Sequence, residues 1–191
     1  STGAARNHPI ITISVAENTS TVVGELNGQT VKDMEKKDVI LEVKTEKSTY
    51  SLPAQQIDIF AVSQSFGQNV KLSDIKVQVE IAKPVDATVK VVEDSANKGN
   101  FTLVVPPVEF NINCTYGGKT VEVSRFNSYV ERIVAIPDEI EPEKITTGVV
   151  VDPDGTVRHV PTKVIVIDGK YYAQINSLTN STYSVIWHPV E

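Results

Sequence analysis

The sequence predicts a mainly β fold: an antiparallel, sandwich-like body of two β sub-modules with two short helices. Three observations carry that expectation. Val, Ile and Thr supply about a third of the 191 residues, whereas leucine occurs only six times; β-branched side chains are stiff at χ1 and suit a pleated surface better than a helix. Several runs alternate apolar and polar residues with period two, the mark of a strand with one buried face. Gly-Gly and Asp-Gly steps separate those runs at hairpin spacing.

Taken in order, Ile11, Ile13 and Val15 alternate with Thr12 and Ser14 and form a first strand. Asn27–Lys36 reads as a short helix, with Val31 and Met34 three apart on one face. Val39, Leu41 and Val43 begin the next strand. Pro53–Ser63 is the second expected helix: proline suits a first-turn position, and Ile57, Phe60 and Ala61 share a face at i, i+3, i+4. Ile75, Val77, Val79 and Ile81 form a long strand whose other face, Lys76, Gln78 and Glu80, is wet. Glu93–Asn100 is poor in apolar residues and contains Asn97 and Gly99, so it is expected to be a hairpin tip or a link between sub-modules. A boundary there divides the chain into residues 8–95 and 96–191, or marks a bend within one compact unit. Beyond it, Val108, Phe110, Ile112 and Cys114 alternate with Glu109, Asn111 and Asn113. Gly117-Gly118, Asp152-Pro153-Asp154-Gly155 and Asp168-Gly169 then each close a hairpin. Between the last two, Val164, Ile165, Val166 and Ile167 are continuously apolar, which predicts a strand covered on both faces.

Composition narrows the function classes. With 40% hydrophobic and 22% charged residues the chain is globular. Its net charge of −6 offers no basic footprint for nucleic acid. No apolar run approaches the roughly 18 residues of a membrane span. The start, Ser1–Arg6, reads as linker, and the abrupt end after a strand-like run is expected of a piece of a longer protein. The single cysteine, Cys114, has no partner for an internal disulfide; its alternating neighbours predict a small buried residue, not a nucleophile.

No catalytic set assembles. Gly118-Lys119-Thr120 resembles the end of a phosphate-binding loop, but Asn113 stands where the first glycine is needed and no helix follows. His8, His159 and His188 are isolated, with none of the i+2 or i+4 pairing of a zinc site. Asp152 and Asp154 are the weak metal candidates, two carboxylates in one turn, although Val150 and Pro153 break the ligand spacing of a calcium loop. Asn18, Asn100, Asn113 and Asn180 begin Asn-x-Ser/Thr sequons, which a threonine-rich chain produces by chance. Tyr171, Tyr172, Tyr183 and Trp187 gather in the last strands; they fill the core or, for Tyr171, Tyr172 and Trp187, line a sugar-stacking ligand face. The expectation is a non-catalytic domain that needs no cofactor.

One set of segments is more specific: Pro106-Pro107-Val108-Glu109-Phe110, Tyr116-Gly117-Gly118-Lys119-Thr120, Tyr129-Val130-Glu131-Arg132, Asp154–Thr162, Ile167-Asp168-Gly169-Lys170-Tyr171-Tyr172-Ala173 and Trp187-His188-Pro189. Across residues 101–191 the chain resembles the β-rich region that precedes the C-terminal S-layer homology repeats of large exported surface proteins of Gram-positive, Paenibacillus-like bacteria. The resemblance is weaker over residues 20–100, through Leu41-Glu42-Val43-Lys44-Thr45 and Leu52-Pro53-Ala54. It implies an extracellular, cell-wall or S-layer location and an architectural role. Its implied partners are wall polymer or neighbouring surface-protein domains. A looser similarity links the chain to β modules that cleave themselves at His-Phe-Ser. Thr179-Asn180-Ser181 stands at that place without the histidine, so self-cleavage is not expected.

Overall fold

The computed structural model describes residues 8–16, 21–141, 143 and 147–187. It is mainly β, as expected. The strands are β1 (Ile10–Ser14), β2 (Thr21–Asn27), β3 (Ile40–Lys44), β4 (Ser48–Pro53), β5 (Lys76–Ala82), β6 (Thr102–Tyr116), β7 (Lys119–Glu122), β8 (Arg125–Ala135), β9 (Thr147–Val151), β10 (Val157–Val160), β11 (Thr162–Ile167), β12 (Lys170–Thr179) and β13 (Thr182–Trp187). The helices are α1 (Gly28–Lys36), α2 (Ile59–Phe66) and α3 (Asp86–Gly99). One sheet has the order β1-β3-β4-β8-β12-β11; the other runs β10-β9-β13-β6-β5-β2, with β7 added onto β6. Among the described strands only β1 and β3 pair in parallel.

Both sheets cross the boundary expected near residue 95: β4 pairs with β8 in one, and β5 pairs with β6 in the other. The fifteen-residue β6 is the clearest bridge. Its later half pairs with β5 and its earlier half with β13. Pro106 and Pro107 lie on this strand and cannot donate to a ladder, so the β13 register shifts between Tyr183 and Val185. Ser184 Oγ donates to the Val105 carbonyl at 2.7 Å in that irregular stretch.

The period-two positions occupy the space between the sheets. Leu41 and Val43 of β3, Val77 and Val79 of β5, and Phe110, Ile112 and Cys114 of β6 are all buried, and belong to one core cluster. Burial of an aliphatic or aromatic side chain of this kind contributes about 1.5–3 kcal/mol. The three glycine-bearing hairpins form where expected. Gly117 and Gly118 have φ of 55° and 78°, and Asp168 and Gly169 have 50° and 79°, the positive values that a two-residue hairpin turn demands.

Helix α1 also follows its sequence signal. Asn27 caps it by accepting from Thr30 N at 2.9 Å, and Val31 and Met34 are buried. Three expectations need correction. First, the second helix is split. A 3-10 turn at Ala54–Gln56 is followed by Asp58 in a left-handed conformation, φ 51°, whose carboxylate caps Ala61 N. The register restarts at Ile59, so Ile59, Val62 and Phe66 point inward while Phe60 is 59% exposed. Second, Glu93–Asn100 is not a hairpin tip but the end of α3, a fourteen-residue helix. Its Val92 packs on Val149, Val151 and Ile186 in a second, smaller cluster outside the main core. Asp86 in its first turn and Lys98 in its last match the helix dipole, and Asn100 ends it with φ 54°. Third, β11 is not covered on both faces. It is a sheet edge with Val166 and Ile167 exposed. No described helix is long and apolar enough to cross a membrane.

Candidate functional site

Strand β8 alternates Val130, Arg132 and Val134 toward the core, so an arginine occupies a position reserved for an apolar side chain. Arg132 is fully buried, and its guanidinium carbon sits 5.2 Å from the ring centre of Tyr50, 5.4 Å from Phe110 and 4.7 Å from Tyr183. Tyr50 comes from β4, Phe110 from β6 and Tyr183 from β13, so the rings belong to both sheets. Each such contact supplies about 0.5–2 kcal/mol, more as water is excluded.

The same guanidinium ties down the corner between β12 and β13. One terminal nitrogen donates to the Thr179 carbonyl at 2.8 Å and to Asn180 Oδ1 at 2.8 Å; the other donates to the Val130 carbonyl at 3.0 Å. The Tyr50 hydroxyl also donates to Asn180 Oδ1, at 2.6 Å, and the Tyr183 hydroxyl donates to the Thr179 carbonyl and is hydrogen-bonded with Ser177 Oγ at 2.7 Å. Asn180 completes the knot through the segment after β7: its Nδ2 donates to the Val123 carbonyl at 3.0 Å and its backbone N–H to the Ser124 carbonyl at 2.8 Å. Among the described residues no carboxylate pairs with Arg132. Its charge is held by carbonyl dipoles and π faces instead. Arg132 Nε and Thr179 Oγ1 are buried without a partner, so the network is not fully satisfied. Burial pushes the Tyr50 phenol up to about 12, against the opposing pull of Arg132.

Residue-level reading of the sequence did not single out Arg132, Tyr50, Phe110 or Asn180 as a group. The period-two pattern held the signal, because Val130 and Val134 place Arg132 on the inward face. Of the expected aromatic group, Tyr183 is fully buried in this knot. Tyr171 and Tyr172 are successive residues of β12 and therefore face opposite sides of the sheet. Tyr171 is exposed at 42%, Tyr172 is half-buried, and Trp187 is half-buried against the main core from the other sheet. The three do not form one platform.

Tyr171 borders an open cavity of about 300 Å³, also lined by Ile136, Asp138, Glu139, Glu141 and Lys170. The weak metal candidates are otherwise engaged. Asp152 holds Arg158 through both oxygens, at 3.1 and 3.2 Å, and Asp154 accepts from Thr156 N at 2.9 Å, which keeps its carboxyl below the usual range. Cys114 is buried, and burial raises its thiol to about 11, so it behaves as a core residue.

Fold and site together define a two-sheet β protein whose sheets are fastened by a buried arginine. No family model, curated protein or solved structure matches the chain.

Proposed function

We propose that the chain is a non-catalytic structural spacer of a cell-surface, S-layer-type protein, standing outside the cell ahead of wall-anchoring repeats. The observation that carries this reading is the Arg132 knot. It joins β4, β6, β8, the β12–β13 corner and the segment after β7, so separating the sheets means exposing a cation and three aromatic rings together. A spacer has to pass force along its length without opening. Strand β13 suits that duty because it is bonded on both sides, by β9 and β6, so a pull along it loads many hydrogen bonds at once. The resemblance of residues 101–191 to regions preceding S-layer homology repeats supplies the setting.

Single-molecule extension with handles at residues 8 and 187 tests the reading. One unfolding event is expected, at a force that Arg132→Ala lowers. Release in several small steps at low force would refute a load-bearing role.

A second reading, a module for extracellular glycan or wall polymer, is favoured by the exposed Tyr171 ring beside its cavity. An aromatic face with nearby carboxylates can stack a sugar ring and accept from its hydroxyls. Co-sedimentation with purified Gram-positive wall sacculi separates the two. Saturable binding that is lost on polymer stripping and in Tyr171→Ala would put recognition ahead of spacing.

A further inference from the structure

Among the described residues strand β11 ends the six-stranded sheet, and its one charge, Lys163, lies toward its start, leaving Val164–Ile167 uncharged. Edges in monomeric proteins are blunted by charges, proline or bulges. β11 reads Thr162-Lys163-Val164-Ile165-Val166-Ile167 and pairs with β12 in unbroken register. Val166 is 59% and Ile167 43% exposed, on opposite faces, and the neighbouring Tyr171 is exposed as well. The corresponding end of the other sheet, β10, is shorter and presents Arg158 and His159 to solvent.

The hairpin fixes which backbone groups β11 offers. Ile167 and Lys170 flank the two-residue turn, so they exchange both of their hydrogen bonds, and Ile165 and Lys163 likewise face β12. The Val166–Tyr171 pair is the intervening, non-bonded kind; the Tyr171 carbonyl turns the other way and accepts from Ile136 N at 3.0 Å. Val164 and Val166 therefore direct their N–H and C=O groups away from the sheet.

We infer that β11 docks on β11 of a second copy of this chain, antiparallel about a two-fold axis through Ile165, making the two six-stranded sheets continuous. Outward-facing residues must meet outward-facing residues, so Val164 of each copy bonds Val166 of the other. Ile165 then packs on its own counterpart. Lys163 falls opposite Ile167 and beside Asp168 of the second copy, at both ends of the seam. The basic start and the acidic turn of the same hairpin are thus complementary to themselves, and that complementarity selects a second copy as the occupant. A parallel mate would bring Lys163 toward Lys163. Strand β1 also exposes Ile10 and Ile11, but it carries no charge to set a register.

Sedimentation equilibrium of the whole chain is the test, across a wide range of protein concentration. The mass is expected to approach twice that of one chain as concentration rises. Ile165→Lys, which sets two like charges face to face on the axis, and Val166→Pro, which removes an outward donor without touching the β12 ladder, are expected to abolish the dimer. Ile11→Lys is expected to leave it intact. Circular dichroism checks that each variant folds. Amide exchange on the unmodified chain gives a readout free of substitutions: Val164 and Val166 should become protected as concentration rises, while Ile165 does not change. A monomer throughout, a dimer that survives Ile165→Lys, a dimer lost in Ile11→Lys, or exchange at Val164 and Val166 that ignores concentration would each overturn the inference.

Discussion

Arg132 sets the energetics at the scale of single residues. Removing it takes one donor from the Thr179 carbonyl and one from Asn180 Oδ1, which keep Tyr183 and Tyr50, and opens a space among three rings. Arg132→Ala is therefore expected to cost about 2–5 kcal/mol in urea unfolding, the range for truncating a large buried side chain to alanine. Arg132→Met keeps most of the volume and removes the desolvated charge, so it should cost much less. Equal losses in the two variants would mean that the guanidinium's charge and donors, not the volume it fills, hold the knot. Tyr50→Phe removes one donor while Asn180 Oδ1 keeps its bond to Arg132, and about 1 kcal/mol is expected.

The buried Tyr50 and Cys114 also set an alkaline limit. Both groups have folded values raised by burial, Tyr50 from 10.0 to about 12 and Cys114 from 9.0 to about 11. The native state then holds protons that the unfolded chain gives up, so stability falls as pH rises. The contribution is complete below pH 9 and is lost progressively between pH 9 and 12. The unfolding midpoint should decline across that window, and Cys114→Ala should remove the lower part of the decline. A flat profile would contradict the burial of both groups.

Single elements show where the sequence could be read and where it could not. Strand alternation, the three hairpin turns and α1 with its Asn27 cap were legible, because each rests on local geometry that few residue types satisfy. Helix α3 was not. Its run of β-branched valines, Val89, Val91 and Val92, does not favour helix, and its buried face is completed by the small residues Ser95 and Ala96, which carry little hydrophobic signal. The start of α2 was misplaced because Asp58 takes a left-handed conformation that no pattern announces. The knot at Arg132 was hidden for another reason: its members come from strands far apart in sequence, with Tyr50 and Asn180 separated by 130 positions. The aromatic group of the last strands does not converge because alternation along β12 sends Tyr171 and Tyr172 to opposite faces and Trp187 belongs to the other sheet.

Helix α1 supplies a prediction in which two effects compete. Gly28→Ala should gain up to about 1 kcal/mol from helix propensity. A Cβ at that position would lie 2.5 Å from the Leu72 carbonyl oxygen and 3.2 Å from Ile75 Cβ, and the first of these is backbone that cannot swing aside. The clash should win, with net destabilisation seen as a lower melting temperature. An unchanged or raised temperature would show that the Leu72–Asp74 turn yields.

For the whole molecule, the shared strands argue for one folding unit. Because β4 pairs with β8 and β5 with β6, neither side of residue 95 can complete a sheet alone. Far-ultraviolet circular dichroism and the fluorescence of Trp187, the one tryptophan, should report the same unfolding midpoint. Residues 96–191 expressed alone should fail to show a cooperative transition. Two separated midpoints, or a folded fragment, would restore the division into sub-modules.

The position of β13 bears on how the molecule is made. This strand is the last one described in the chain, yet it lies between β9 and β6 in the middle of its sheet, and the Asn180 corner just before it anchors the knot. A ribosome delivers the chain from its first residue at roughly 5–20 residues per second. The seven-stranded sheet cannot close, and Arg132 cannot find Thr179 and Asn180, until those late residues have emerged. Residues up to about 187 must thus be made before the fold can lock, so the part of this region already synthesised stays open to chaperones until then.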